Sequence, residues 1–147
     1  MIKVLFLCHG NICRSPMAEF VMRDLVRKAG LEDRIEVASA AVSGEEIGND
    51  IHPGTRKKLT EMGVPFTPRA ARQVTKKDMA IYDHVLLMDA SNADWLRYIV
   101  GASAAKARPL LPDRDIADPW YTGNFEDTWN DILEGCTLLL ETLRREL

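Results

Sequence analysis

The chain is short of the residues on which many common chemistries rest. It has three cysteines and three histidines in 147 residues, with no Cys-x-x-Cys and no His-x-x-x-His pair. That leaves no zinc-site spacing and a poor basis for a disulfide framework. No glycine-rich segment ends in the lysine of a nucleotide-binding loop. Long apolar runs are missing as well. The run before Cys8 is Val4 to Leu7, too short for a membrane span or a signal-peptide core. Positive charge is not in excess: the formal net charge is −3, which argues against non-specific binding to nucleic acid or an anionic membrane. Repeats, low-complexity stretches and linkers are also lacking. An apolar fraction of 46% then suits one domain over residues 1–147 with a core of its own. The expected compartment is the cytoplasm, where thiols stay reduced.

What is present is an alternation of short apolar runs and helical stripes. Ile2 to Leu7 reads as a strand buried on both faces. Ser15 and Pro16 read as an N-cap and a first-position proline. The stripe Ala18, Val21, Met22, Leu25 and Ala29 follows and stops at Gly30. Ile35 to Ser39 predicts a second strand, and Pro53 to Met62 a second helix. Thr75-Lys-Lys-Asp78 reads as a capping box, and His84 to Met88 as a third strand. Ser91-Asn-Ala-Asp94 reads as the cap of a helix ending at Gly101, and Ala107 to Leu111 as a fourth strand. A loop from Pro112 to Gly123 leads to a last helix. There Phe125, Trp129, Ile132, Leu133, Cys136, Leu140 and Leu143 fall at helical spacing. The expected fold is α/β: a three-layer sandwich whose four-stranded parallel sheet, order 2-1-3-4, carries helices on both faces. In such sheets ligands bind beyond the carboxyl ends of the strands, and Cys8 lies at one.

Residues 8–15 read Cys-His-Gly-Asn-Ile-Cys-Arg-Ser. The spacing Cys-x5-Arg alone means little, because chance places such a pair in about one chain in four of this composition. Its setting between a strand and a helix means more. The loop N–H groups and the helix dipole favour an anion. Gly10 and Asn11 are the residue types that most readily take the positive φ of an anion-cradling turn. Arg14 offers a planar fork for two phosphate oxygens. The same surroundings favour the thiolate form of Cys8, and Ser15 stands where it can hydrogen-bond the sulfur as a leaving group. A lone cysteine at a strand end is more often a small packing residue; inside this loop that reading is the lesser one.

The loop resembles the signature of the low-molecular-weight protein tyrosine phosphatases, and the resemblance runs along nearly the whole chain. Residues 39–49, Ala71-Arg-Gln-Val-Thr75, Met88-Asp-Ala-Ser-Asn92 and Asp118-Pro-Trp-Tyr121 are similar to family segments in family order. The resemblance implies that Cys8 attacks the phosphorus of a phosphomonoester to give a phosphocysteine. Arg14 and the amides of His9, Gly10, Asn11, Ile12 and Cys13 hold the phosphoryl oxygens. Asp118 protonates the leaving phenolate and then, as a base, activates the water that frees inorganic phosphate. Trp120 and Tyr121 form one wall of the ring slot, with phosphotyrosine proteins or small aryl phosphates as partners. Neither a metal nor a cofactor is implied. Cys13 resembles a second loop cysteine that can pair reversibly with the nucleophile under oxidation. Asn11 and Ser39 resemble polar supports of the loop, and Asp89 a structural aspartate at a strand end. Cys136 reads as core; Trp95 and Trp129 read as packing or half-exposed; His52 and His84 as ordinary surface or core residues. Arg69, Arg72, Lys76 and Lys77 read as a solvated basic face.

Two positions depart from the family pattern. Glu45 stands where an aromatic residue often forms the opposite wall, giving less stacking surface and a negative charge towards a dianionic substrate. Pro68 and Arg69 stand near a position commonly held by histidine. A protein arginine phosphatase of the same fold is the second reading, although such enzymes tend to have Thr where Ile12 stands and to lack the aromatic wall. Arsenate reductase needs further cysteines, and a sugar-transport phosphocarrier would need neither Arg14 nor Asp118.

Overall fold

The computed structural model describes all of residues 1–147. Its sheet has four parallel strands in the order β2-β1-β3-β4: β1 Ile2–Cys8, β2 Ile35–Ala41, β3 His84–Leu87 and β4 Arg108–Pro109. Six α-helices surround it: α1 Arg14–Lys28, α2 Pro53–Glu61, α3 Lys76–Ile81, α4 Ala90–Val100, α5 Pro119–Thr122 and α6 Phe125–Arg144. The expected three-layer sandwich and strand order are both observed.

The alternation of side chains along β1 explains the layers. Val4 and Phe6 enter a core built with Met17, Phe20, Ile132, Cys136 and Leu143, on the side of α1 and α6. Leu5 and Leu7 enter a second core with Val85, Leu87, Leu96 and Val100, on the side of α4. All four are fully buried; each contributes about 1.5–3 kcal/mol by leaving water. A strand apolar on both faces has only one place to go, the middle of the sheet. Cys136 and Trp129 are core, as their spacing predicts.

Local boundaries differ from expectation where tertiary bonds compete with local signals. The N-cap of α1 is Cys13, and the helix begins at Arg14, so Ser15 lies in the first turn. Pro16 is thus the third helical residue, still within the turn whose N–H groups need no helical partner. α4 is capped by Asp89 with Asn92 closing a reciprocal box, rather than by Ser91; the Ser91 hydroxyl instead donates to Asp89 Oδ1 at 2.6 Å. β4 is only two residues long and lies at the sheet edge; Pro109 is tolerated there because its neighbour Leu110 is the residue that turns its N–H to β3, donating to the Leu87 carbonyl at 2.9 Å. A 3₁₀ turn, Gly101–Lys106, precedes it, with Gly101 at φ 64°. The segment expected as loop up to Gly123 contains α5.

Candidate active site

β1 delivers Cys8 to the carboxyl edge of the sheet, and the chain turns at once into α1. The turn is made by Asn11 at φ 60°; Gly10 does not take a positive φ, contrary to expectation. Gly10 is instead a matter of room, since a Cβ there would lie 3.2 Å from Glu46 Cγ. Asn11 is fully buried and its side chain is saturated. Nδ2 donates to Ser15 Oγ at 2.8 Å and to Ser39 Oγ at 2.9 Å, and Oδ1 accepts from the Arg72 N–H at 3.3 Å. Ser39 Oγ in turn donates to buried Glu19 at 2.6 Å. Asn11 and Ser39 thus support the loop geometrically. These bonds offset the cost of the left-handed turn.

Around the sulfur the donors converge. Cys8 Sγ accepts from the Asn11 N–H at 3.3 Å and the Ser15 N–H at 3.4 Å, with Ser15 Oγ at 3.0 Å. With α1 starting beside it, negative charge on the sulfur is well placed. Arg14 is 2% exposed. Its Nη1 donates to Asp89 Oδ2 at 2.7 Å and to the Ile116 carbonyl at 2.8 Å, and Nη2 reaches Asp118 Oδ2 at 3.5 Å. Burial works against the guanidinium charge, but Cys8, Asp89 and Asp118 outweigh it and raise its pKa above the ordinary value. Nε is buried without a partner in the protein. The Nε–Nη2 edge is therefore available for two oxygens of an anion above Cys8.

Cys8 and Cys13 are both free of disulfide bonds. Burial first, then the charges of Cys8 and Asp118, push the Cys13 thiol up to about 12; it is a thiol at neutral pH. Cys8, His9, Gly10, Ile12, Cys13, Arg14, Glu45, Glu46, Asp118, Trp120 and Tyr121 line one pocket. Asp118 caps α5, with Oδ1 accepting from the Trp120 N–H at 3.0 Å. Asn11 and Ser15 lie beneath the loop as supports and are not part of that lining.

The wall containing Glu45 follows from backbone pairing. Val42 N–H donates to the Cys8 carbonyl at 2.9 Å, and Ser43 N–H to that of His9 at 3.0 Å, which brings Glu45 beside the Cys8 loop. Glu45 Oε2 lies 3.0 Å from His9 Nε2, and Trp95 meets the His9 ring edge-on at 5.4 Å. So the His9 ring, and not only its amide, belongs to the pocket wall. No group of three histidine, cysteine or acidic side chains is placed to hold a metal ion.

Several neighbours escape sequence reasoning. Ile116 acts through its carbonyl, which no side-chain pattern announces. Glu46 packs over Gly10, and only its adjacency to Glu45 hinted at it. His52, expected to be ordinary, caps α2; the following proline and glycine were the available signal. His84 bridges Glu146 and Arg108 at 3.0 and 3.1 Å. The basic face is not uniform. Arg72 pairs with Asp78 at 2.9 Å, and burial lowers the pKa of Arg69, leaving Lys76 and Lys77 exposed.

Residues 3–147 match the family described as low molecular weight phosphotyrosine protein phosphatase. The chain is 43% identical to the low molecular weight protein-tyrosine-phosphatase YfkJ of Bacillus subtilis, over 99% of this chain and 98% of YfkJ. The YfkJ crystal structure superposes with a TM-score of 0.94, covering 99% of this chain and 96% of that one. PtpA of Staphylococcus aureus, also named a low molecular weight protein-tyrosine-phosphatase, is 32% identical over 99% of this chain and 96% of its own. Vibrio vulnificus Wzb, solved in complex with benzylphosphonate, superposes with a TM-score of 0.85 at 26% identity, over 96% and 98% of the two chains. The buried arginine beside a sulfur ringed by N–H donors, with an aspartate across the pocket, thus sits in a chain that belongs to the low molecular weight protein-tyrosine-phosphatase family of hydrolases.

Proposed function

We propose that the protein hydrolyses phosphotyrosine in proteins, and small aryl phosphates, in the cytoplasm, through a phosphocysteine on Cys8. The observation that carries the reading is the meeting of Cys8, Arg14 and Asp118 in one pocket, with Asp118 3.5 Å from the arginine. Benzylphosphonate, the ligand of Wzb, pairs a phosphoryl-like head with an aromatic ring, the shape of an aryl phosphate.

In the first step the Cys8 thiolate forms the S–P bond as the bond from phosphorus to the aryl oxygen breaks. The Asp118 proton passes to the departing phenolate. Arg14, through Nε and Nη2, and the loop N–H groups hold the equatorial oxygens, whose charge is greatest in the transition state. In the second step water attacks phosphorus, Asp118 as carboxylate takes its proton, and the S–P bond breaks. The N–H groups of Asn11 and Ser15, with the Ser15 hydroxyl, stabilise the sulfur as it leaves with the bonding pair. Trp120 and Tyr121, 57% and 83% exposed, offer apolar surface to the ring. Ile12 and that aromatic wall favour an aryl ester over phosphoarginine.

Turnover of p-nitrophenyl phosphate and phenyl phosphate tests the assignment. Cys8→Ser is expected to abolish turnover, and Asp118→Asn to lower phenyl phosphate turnover by about 100-fold or more. Release of nitrophenolate by Cys8→Ser at the wild-type rate sinks the nucleophile. A panel of phosphotyrosine, phosphoserine and phosphoarginine peptides decides the substrate; preference for phosphoarginine overturns the tyrosine reading.

A further inference from the structure

His52 takes no part in the reaction as written, yet it joins three parts of the site. Its backbone N–H donates to the Ile12 carbonyl at 2.9 Å, inside the nucleophile loop. Its Nδ1 accepts from the Gly54 N–H at 3.0 Å and caps α2. Its ring stacks on Phe125, the first residue of α6, with centroids 5.5 Å apart and planes 25° apart. The same ring meets Trp120 of α5 edge-on, at 5.6 Å and 79°. Gly54 makes the stack possible, because a Cβ there would overlap the Phe125 ring.

α5 has four residues, too few to hold itself as a helix without outside contacts. One tie comes from the Thr128 hydroxyl, which donates to the Ala117 carbonyl at 3.1 Å just before Asp118. Beyond Asp118, Pro119 is buried, and Trp120 is held by its T-shaped contact with the His52 ring. We propose that His52 is a positioning residue for the general acid. Its ring holds α5 through Trp120 and so keeps Asp118 over the Cys8 loop, to which the His52 backbone is itself bonded. The inference rests on the reading of Asp118 as proton donor. A donor displaced by an ångström transfers its proton poorly, and the loss is greatest for leaving groups that need the proton most.

The readout is therefore the ratio of kcat/KM for p-nitrophenyl phosphate, whose leaving group departs readily, to that for phenyl phosphate. His52→Asn keeps a capping acceptor and loses the ring; His52→Phe keeps a ring and loses the acceptor. His52→Asn is expected to lower kcat/KM for phenyl phosphate by about tenfold and for p-nitrophenyl phosphate by less than about threefold. Competitive inhibition by inorganic phosphate stays at the wild-type value. His52→Phe keeps the wild-type ratio. Trp120→Ala alters an exposed side chain, skews the ratio in the same sense, and leaves His52→Asn nothing to add in the double variant.

An unchanged ratio in His52→Asn overturns the proposal, as does equal loss on both substrates with weakened phosphate inhibition. A His52→Phe ratio as skewed as that of His52→Asn overturns it too, since the cap and not the ring would then matter. Should His52→Asn fail to fold, a wild-type ratio in Trp120→Ala does the same. Asp118→Asn separates the two ideas. An unskewed ratio there overturns the general-acid reading and this one with it; a skewed ratio beside a wild-type His52→Asn overturns this one alone.

Discussion

The two loops that meet in the pocket are held in opposite ways. In the nucleophile loop Asn11 and Ser15 are fully buried and Arg14 nearly so, and the side chains of Asn11 and Ser15 are bonded to the protein. In the acid segment Trp120 and Tyr121 stand largely in solvent, and Asp118 is anchored by its cap to Trp120 and a long contact to Arg14. In the proposed two-step reaction sulfur, loop amides and arginine have to stay aligned throughout, so burial and saturated bonding suit them. In that proposal Asp118 works where the leaving group departs and water enters, at an edge that cannot be sealed. A segment with few buried contacts opens locally at lower cost than the core around it.

That contrast can be broken most sharply at Asn11. Asn11→Ala removes the bond that Asn11 makes to each of Ser15, Ser39 and the Arg72 N–H and strains a positive φ. It is expected to cost about 3 kcal/mol of stability and to lower turnover far more than a change at Trp120. Urea unfolding checks it; a loss below about 1 kcal/mol would show that the loop is not held by this side chain.

Arg14 links the two regions, and its partner Asp89 gives a pH signature. Burial alone would raise the Asp89 pKa, but hydrogen bonds from Ser91 and Arg14 and the Arg14 charge hold it below the ordinary carboxylate value. A carboxylate lowered in the folded state stabilises above its unfolded value, about 3.9, and loses that contribution as pH falls through the folded value. Asp89→Asn is expected to be less stable than wild type by about 2 kcal/mol at pH 7. Thermal melts from pH 7 downward should show the gap closing below pH 4, and a gap that widens in acid would contradict the pairing.

The smallest effect is expected at Glu45, on the open wall facing the aromatics. Glu45→Trp removes a negative charge and adds stacking surface, so kcat/KM for p-nitrophenyl phosphate should rise about threefold through a lower KM. No change, or a fall, would mean that the His9 contact with Glu45 serves the substrate better than an aromatic would.

The strand, the loop and the first helix were legible because their determinants are local. β1 is a run of apolar residues, and the loop concentrates cysteine, glycine, asparagine and arginine within eight positions. Asp118 was legible only through the Asp-Pro-Trp-Tyr segment, since Arg14 and Asp118 lie 104 positions apart and no spacing rule joins them. The sequence does not decide the cap of α4, because Ser91 and Asp89 are both good caps; the structure uses Asp89, which also pairs with Arg14. Likewise Ser15 looks like a cap until the sulfur beside it is seen.

By itself the sequence determined the alternation of strands and helices, and with it a parallel sheet ending at Cys8, because periodicity and apolar runs act over a few residues. It also determined which chemistry the loop can hold, since a thiol, an arginine and flexible turn residues come from eight consecutive positions. Only the tertiary structure decided where Arg14 points, which wall faces Trp120, and that His52 touches both loops. Those facts depend on packing between segments far apart in the chain, and that packing is settled only when β1, α2 and α6 share one core.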